Sequence, residues 1–216
     1  GKINDVSIDE KIVGDATINA SFANRKFKVT TLKLPVGDGL IAIGGTMDLD
    51  GQADLQVALK DVDIVPFLPL IGKDIQATGW VTGVVNITGE TKNPKVELSS
   101  AIESGSFNGV GIDEGFALAT MQDQVIQIQR IQGAKSGYKL SVYGKIPLAA
   151  IFTSGYIPAN DSKSMDVTID FNEADMAVIP LVTTSIKEAT GPLKGTVHIT
   201  GTIDQPEAYG TVSVRN

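Results

Sequence analysis

Ala77-Thr78-Gly79-Trp80-Val81-Thr82-Gly83-Val84-Val85-Asn86-Ile87-Thr88-Gly89 returns later in the chain as Ala189-Thr190-Gly191-Pro192-Leu193-Lys194-Gly195-Thr196-Val197-His198-Ile199-Thr200-Gly201, an offset of 191 − 79 = 112. Working outward from this string, the same offset carries Pro94 onto Pro206, Asp54 onto Asp166 and Asp63 onto Asp175. It also carries Leu55, Val57 and Leu59 onto Val167, Ile169 and Phe171, so turn residues and apolar phase recur together. Self-similarity at a fixed distance is the signature of a repeated supersecondary unit, and the chain reads as a tandem duplication. Further upstream, the run from Phe27 to Ile43 resembles the run from Val125 to Val142 at an offset of 137 − 39 = 98. The difference, 112 − 98 = 14, places an insertion in the second copy, in the Ser/Pro/Asn/Gly-rich loop near 151–164. The expected repeats are residues 1–100 and 101–216.

Within each repeat the hydrophobic period is two. Leu55, Val57 and Leu59 alternate with Asp54, Gln56 and Lys60, and Leu193, Val197 and Ile199 alternate with Lys194, Thr196 and His198. Such strands bury one face and leave the other in water, which is the pattern of an antiparallel sheet. Gly37-Asp38-Gly39, Asp50-Gly51 and Lys135-Ser136-Gly137 supply turns between them. One segment per repeat breaks the rhythm. Ile64, Phe67, Leu68, Ile71 and Ile75 recur at helical spacing, as do Ile179, Val182 and Ile186. Asp63 can cap the first segment, and Pro66 falls in its first turn, where a missing N–H costs little. The expectation is a mainly β chain with one short amphipathic helix per repeat, near 63–76 and near 175–187. Two such helices cover only part of a sheet this large, so a curled sheet with a partly open apolar face is expected.

Composition narrows the function. The net charge is −7, and fifteen Lys and three Arg are scattered singly, which gives no basic footprint for a nucleic-acid backbone. There is no Cys, hence no disulfide framework and no thiolate metal site. No apolar run reaches the length of a membrane span, and the strand-like start at Ile3, Val6 and Ile8 reads as part of a longer chain. His198 is the sole histidine and falls on the polar phase of a strand, so it is expected in solvent rather than in a catalytic triad. Gly37-x-Gly39 and Gly109-x-Gly111 lack the helix start of a dinucleotide loop, and Asp113-Glu114 reads as a solvated turn. Asp48 and Asp50 faintly resemble a calcium loop, but its twelfth position is Leu59 rather than a bidentate glutamate. No enzyme, no cofactor and no metal are expected.

The apolar stripe has two readings, a filled core or a groove for alkyl chains. The glycine-spaced strand, the turn containing Pro94 or Pro206 and the following run (Lys95-Val96-Glu97-Leu98; Glu207-Ala208-Tyr209-Gly210-Thr211-Val212-Ser213-Val214) resemble repeats of the bacterial AsmA-like superfamily, closest to its TamB branch. The first copy departs from that pattern, with Gly89-Glu90 in place of Gly-Thr and no glycine between Val96 and Leu98. The resemblance implies a long U-shaped antiparallel sheet, the β-taco, whose inner surface is an apolar trough. It implies a bridge-like lipid transporter anchored in the inner membrane of a diderm bacterium and spanning the periplasm, where it carries phospholipid towards the outer membrane. It further implies, as partners, an outer-membrane barrel protein of the TamA kind and unfolded outer-membrane proteins.

Phase then assigns the groove. Leu55, Val57, Leu59, Val81, Val85, Ile87, Leu140, Val142, Val167, Ile169, Phe171, Leu193, Val197 and Ile199 are expected to face acyl chains, beneath the two helices as partial lids. Burying one CH₂ contributes about 0.8 kcal/mol, so a few covered carbons hold a lipid reversibly without an ionic clamp. Two competing expectations stand beside the conduit: a scaffold whose sheet edges template incoming barrel strands, and a structural β module with a filled core.

Overall fold

The computed structural model describes residues 1–8, 10–71, 76–107, 109–135, 138–151, 164–176, 191–202 and 205–214. The strands are β1 (Lys2–Ile8), β2 (Lys11–Ala23), β3 (Lys26–Val36), β4 (Gly39–Asp48), β5 (Gln52–Asp63), β6 (Ala77–Glu90), β7 (Lys95–Phe107), β8 (Val110–Gln122), β9 (Val125–Lys135), β10 (Tyr138–Pro147), β11 (Met165–Asp175), β12 (Pro192–Gly201) and β13 (Pro206–Val214). They form one thirteen-stranded sheet in strict chain order, each strand antiparallel to the next. Twelve spacings of about 4.8 Å carry the sheet roughly 58 Å from edge to edge along its contour. Among the described residues β1 and β13 pair only with β2 and β12, so the sheet has two edges and is not a closed barrel.

The turns follow from local chemistry. Asn24-Arg25 and Asp123-Gln124 join their strands as two-residue loops with positive φ at both positions, the type I′ geometry that matches strand twist. The Asp48 carboxylate accepts the Asp50 N–H at 3.1 Å, so it serves the turn around Gly51. Successive turns along this end of the sheet are tied to one another. The N–H of Leu49 donates to the Arg25 carbonyl and that of Thr91 to the Gly51 carbonyl, both at 3.0 Å. Leu148 N–H donates to the Gln124 carbonyl at 2.8 Å, and Asn93 Nδ2 to Asp123 Oδ1 at 2.6 Å.

Of the helix expected over 63–76, the described residues show a 3₁₀ turn, Val65–Phe67, followed by α1 (Leu68–Ile71). Asp63 Oδ1 accepts the Val65 N–H at 3.0 Å, and Pro66 stands in the first turn as expected. Residues 72–75, with Ile75, and the whole segment 177–190, with Ile179, Val182 and Ile186, lie outside the described residues. So does 152–163 within the expected insertion, which is preceded by an unanticipated helical turn, α2 (Leu148–Ile151).

Most buried side chains gather in two small cores at opposite flanks of the sheet, with Ala53, Ile128 and Val167 buried outside them. One holds Ala16, Leu34, Val36, Ile41 and Val62, with Phe67 of the 3₁₀ turn packed on it. The other holds Phe171, Ala174 and Leu193, with Leu140, Ile169, Met176 and Val197 against it. A register shift brings Val62 opposite Val81 on β5, and another brings Ala174 opposite Leu193 on β11, so both bulges re-aim the chain into a core.

The glycine spacing has a steric origin. A Cβ on Gly83 would stand 2.6 Å from the Ser99 carbonyl oxygen of β7, and one on Gly195 would collide with the Thr211 carbonyl of β13. Gly195→Val is therefore expected to force β12 and β13 apart and to cost about 1–3 kcal/mol by overpacking, read as a lowered midpoint in urea denaturation.

Candidate apolar binding face

Antiparallel partners project their side chains to the same side, so the pairing ladder determines which residues share a face. Leu55 pairs with Ile87 and Val57 with Val85, which then pair with Val96 and Leu98 of β7. Val96 and Leu98 pair with Met121 and Ala119 of β8, and these with Ile126 and Ile128 of β9. Ile126 and Ile128 meet Ile146 and Gly144 of β10. The rows continue through Val142–Ile169–Val197–Gly210 and Gly144–Val167–Ile199–Ala208 to the β13 edge. Towards β1, Val57 is reached from Ile43 and Leu32, and Leu59 from Ile41 and Leu34.

All fourteen residues expected in the groove therefore lie on one face of one sheet: Leu55, Val57, Leu59, Val81, Val85, Ile87, Leu140, Val142, Val167, Ile169, Phe171, Leu193, Val197 and Ile199. Along the rows through Leu55, Val57, Val85 and Ile87 the paired residues are apolar; Ser100 shares this face, and at the end of β9 Lys135 falls in the same phase as Gly133. Of the fourteen, Val167, Phe171 and Leu193 are buried and the others are half-buried. A filled sandwich would exclude water from nearly all of them, whereas a flat single sheet would leave them open. Half-burial along the whole row is the intermediate case. Among the lid residues, Ile64, Phe67 and Leu68 are half-buried, with Phe67 against the Leu34–Val36 core; Ile71 ends α1.

Residues not singled out from the sequence complete the face. Ile43, Leu98, Ile126, Ile128 and Ile146 stand in the same rows. The signal for them was present in the alternation of Val96 with Leu98 at the end of the first unit and of Ile126 with Ile128 in the second.

The opposite face is polar with local exceptions. Trp80, 54% exposed, stands on this side opposite Glu103, and Phe116 opposite Ala101. His198 also lies here, as its phase indicated, but it is held rather than free. Its Nδ1 shares a 3.0 Å hydrogen bond with Thr168 Oγ1, its Nε2 is 3.3 Å from Asp166 Oδ1, and its ring packs on Tyr209 at 5.1 Å. The ring borders a shallow depression of about 590 Å³ lined by Lys194, Thr196, Tyr209, Thr211 and Ser213. These contacts orient the imidazole across β11, β12 and β13, a structural cross-link. His198→Ala is expected to change stability by no more than about 1 kcal/mol and to leave the apolar face unaltered, checked by thermal melting.

No cluster of three or more His, Asp or Glu is placed to hold a metal ion among the described residues. No described helix is long and apolar enough to cross a membrane. No family model, curated protein or solved structure matches the chain.

Proposed function

We propose that the chain is a length of lipid conduit, a non-enzymatic segment whose apolar face takes phospholipid acyl chains while the headgroups stay at the open rim. One observation carries this reading: a largely aliphatic and mostly half-buried face that runs from strand to strand across the sheet. Alkyl chains need such a surface and no specific polar contact. A face built mainly from Val, Ile, Leu, Ala and Gly matches that requirement.

The finer architecture belongs to the same proposal. We read the sheet as curled into a trough, because a one-layer sheet with one apolar face must shield that face from water. We read the sheet as two repeats with a period of six strands, β5 and β6 corresponding to β11 and β12, since the shifts at Val62 and at Ala174 recur 174 − 62 = 112 residues apart. The close approaches of Gly83 to Ser99 and of Gly195 to Thr211 recur at the same interval (195 − 83 = 112). The AsmA-like resemblance adds the setting. The chain would sit in the periplasm of a diderm bacterium as part of an inner-membrane-anchored protein, serving phospholipid traffic to the outer membrane.

Native mass spectrometry of the purified chain tests the reading. Adducts of phospholipid mass, removed by detergent exchange and restored by incubation with vesicles, are expected. A bare spectrum that vesicles do not change would remove the conduit and leave the structural module.

A further inference from the structure

The geometry points to self-association through β13: two copies of the chain pair this strand antiparallel about Gly210, joining their sheets into one. The inference starts from the unequal treatment of the two edges. On β1 the ladder shifts register twice, Asp5 adopts φ 54°, and its N–H is taken by Asp15 Oδ1 at 2.9 Å. Lys2 and Asp5 add charge to a strand of seven residues. Bulges, charges and shortness are the devices that block strand addition. β13 carries fewer of them: no bulge, one charged residue and a proline only at its first position. Its nine residues, Pro206 to Val214, pair with β12 without a shift, are all exposed, and carry Glu207 as their single charge.

The direction of the free backbone groups follows from the glycines. A Cβ on Gly210 would fall on the Thr196 carbonyl and one on Gly195 on the Thr211 carbonyl. The paired residues Thr196 and Thr211 therefore turn their carbonyls towards each other's strands. The alternate residues Ala208, Gly210, Val212 and Val214 direct their N–H and C=O groups outward. Pro206, which has no N–H, stands in the same outward phase, the position where a sheet tolerates proline.

The occupant is read from the strand's self-complementarity. A two-fold axis at Gly210 sets Ala208 opposite Val212 of the other copy, Tyr209 opposite Thr211, Glu207 opposite Ser213 and Pro206 opposite Val214. The outward residues then meet one another as hydrogen-bonded pairs, no like charges oppose, and each large side chain faces a smaller one. Because the axis is perpendicular to the sheet, the two apolar faces become continuous. The pairing does not depend on what that face binds.

A nine-residue edge is small for a permanent interface, so the expected behaviour is a concentration-dependent dimer. Sedimentation equilibrium is expected to show a mass rising from 22.7 kDa towards 2 × 22.7 = 45.4 kDa, and added salt is expected to strengthen association by screening the charge of −7 on each copy. Val212→Lys is expected to weaken association at least about ten-fold, and Asn4→Lys, on the guarded edge, is expected to leave it unchanged. Should the lysine variant fail to fold, Val212→Pro removes one outward N–H without touching the β12 ladder and carries the same expectation. A mass fixed at 22.7 kDa at every concentration would overturn the pairing. So would a folded Val212→Lys chain that associates like the parent, or a monomer that captures only an added extended peptide.

Discussion

Val197→Asp is expected to abolish phospholipid retention while leaving the chain folded. Val197 stands in the row between Ile169 and Gly210, half-buried on the apolar face. In the empty protein an aspartate there keeps part of its hydration, so the fold loses about 1–2 kcal/mol. When an acyl chain lies across it, the carboxylate is stripped of water with no cation in its row, Val142–Ile169–Val197–Gly210, to compensate it. That desolvation costs several kcal/mol, a loss of occupancy of about 100-fold or more. The comparison is between the melting temperature and the phospholipid adduct fraction of the same preparation. Equal collapse of both would identify a filled core rather than a groove.

The largest stability effect is expected at Phe171→Ala. Phe171 is 2% exposed and, with Ala174 and Leu193, forms the core on the β10–β12 flank. Removing the ring leaves a cavity between strands held by a bulge, and large-to-small changes of this kind cost about 3–5 kcal/mol. For a chain of this length that lowers the melting temperature by about 6–20 °C. Leu98→Ala, on the same face but half-buried in the middle of the sheet, is expected to cost under about 2 kcal/mol, because water already reaches the site. The contrast distinguishes two flank cores joined by a loosely covered face from a uniformly packed interior. If both variants lose the same amount, the middle is packed as densely as the flanks.

Much of this was legible in the residues because strand phase is a local property. The alternations Leu55–Val57–Leu59 and Val167–Ile169–Phe171 put each side chain on its face before any pairing was known. A consecutive antiparallel order then needs only short turns. What local pattern leaves undetermined is the register between strands, and with it the row from Leu32 through Val57 to Ala208 and Gly210 at the far edge. The bulges at Val62 and Ala174 depend on left-handed or shifted residues such as Asp61, φ 49°, which no period announces. The Asn24-Arg25 and Asp123-Gln124 turns were equally hidden, since neither contains the glycine that usually marks a type I′ loop. Ile64, Phe67, Leu68 and Ile71 satisfy helical spacing, but that spacing does not tell a 3₁₀ turn, as at Val65–Phe67, from the α turn that follows it at Leu68–Ile71.

His198 shows the limit of phase from the other side. Its position on the polar face was readable, but its partners were not, because Thr168 and Asp166 come from β11 and Tyr209 from β13. Only the strand order brings these groups together.

The most direct test of an open apolar face is photocrosslinking with a phospholipid that carries a diazirine in its acyl chain, followed by peptide mapping. The expected result is labelling at Val57, Val85, Leu98, Ile128, Val142 and Val197, one row of face positions after another across the sheet. Labelling confined to Trp80 and Phe116 on the opposite face, or none above that of a soluble diazirine, would contradict it.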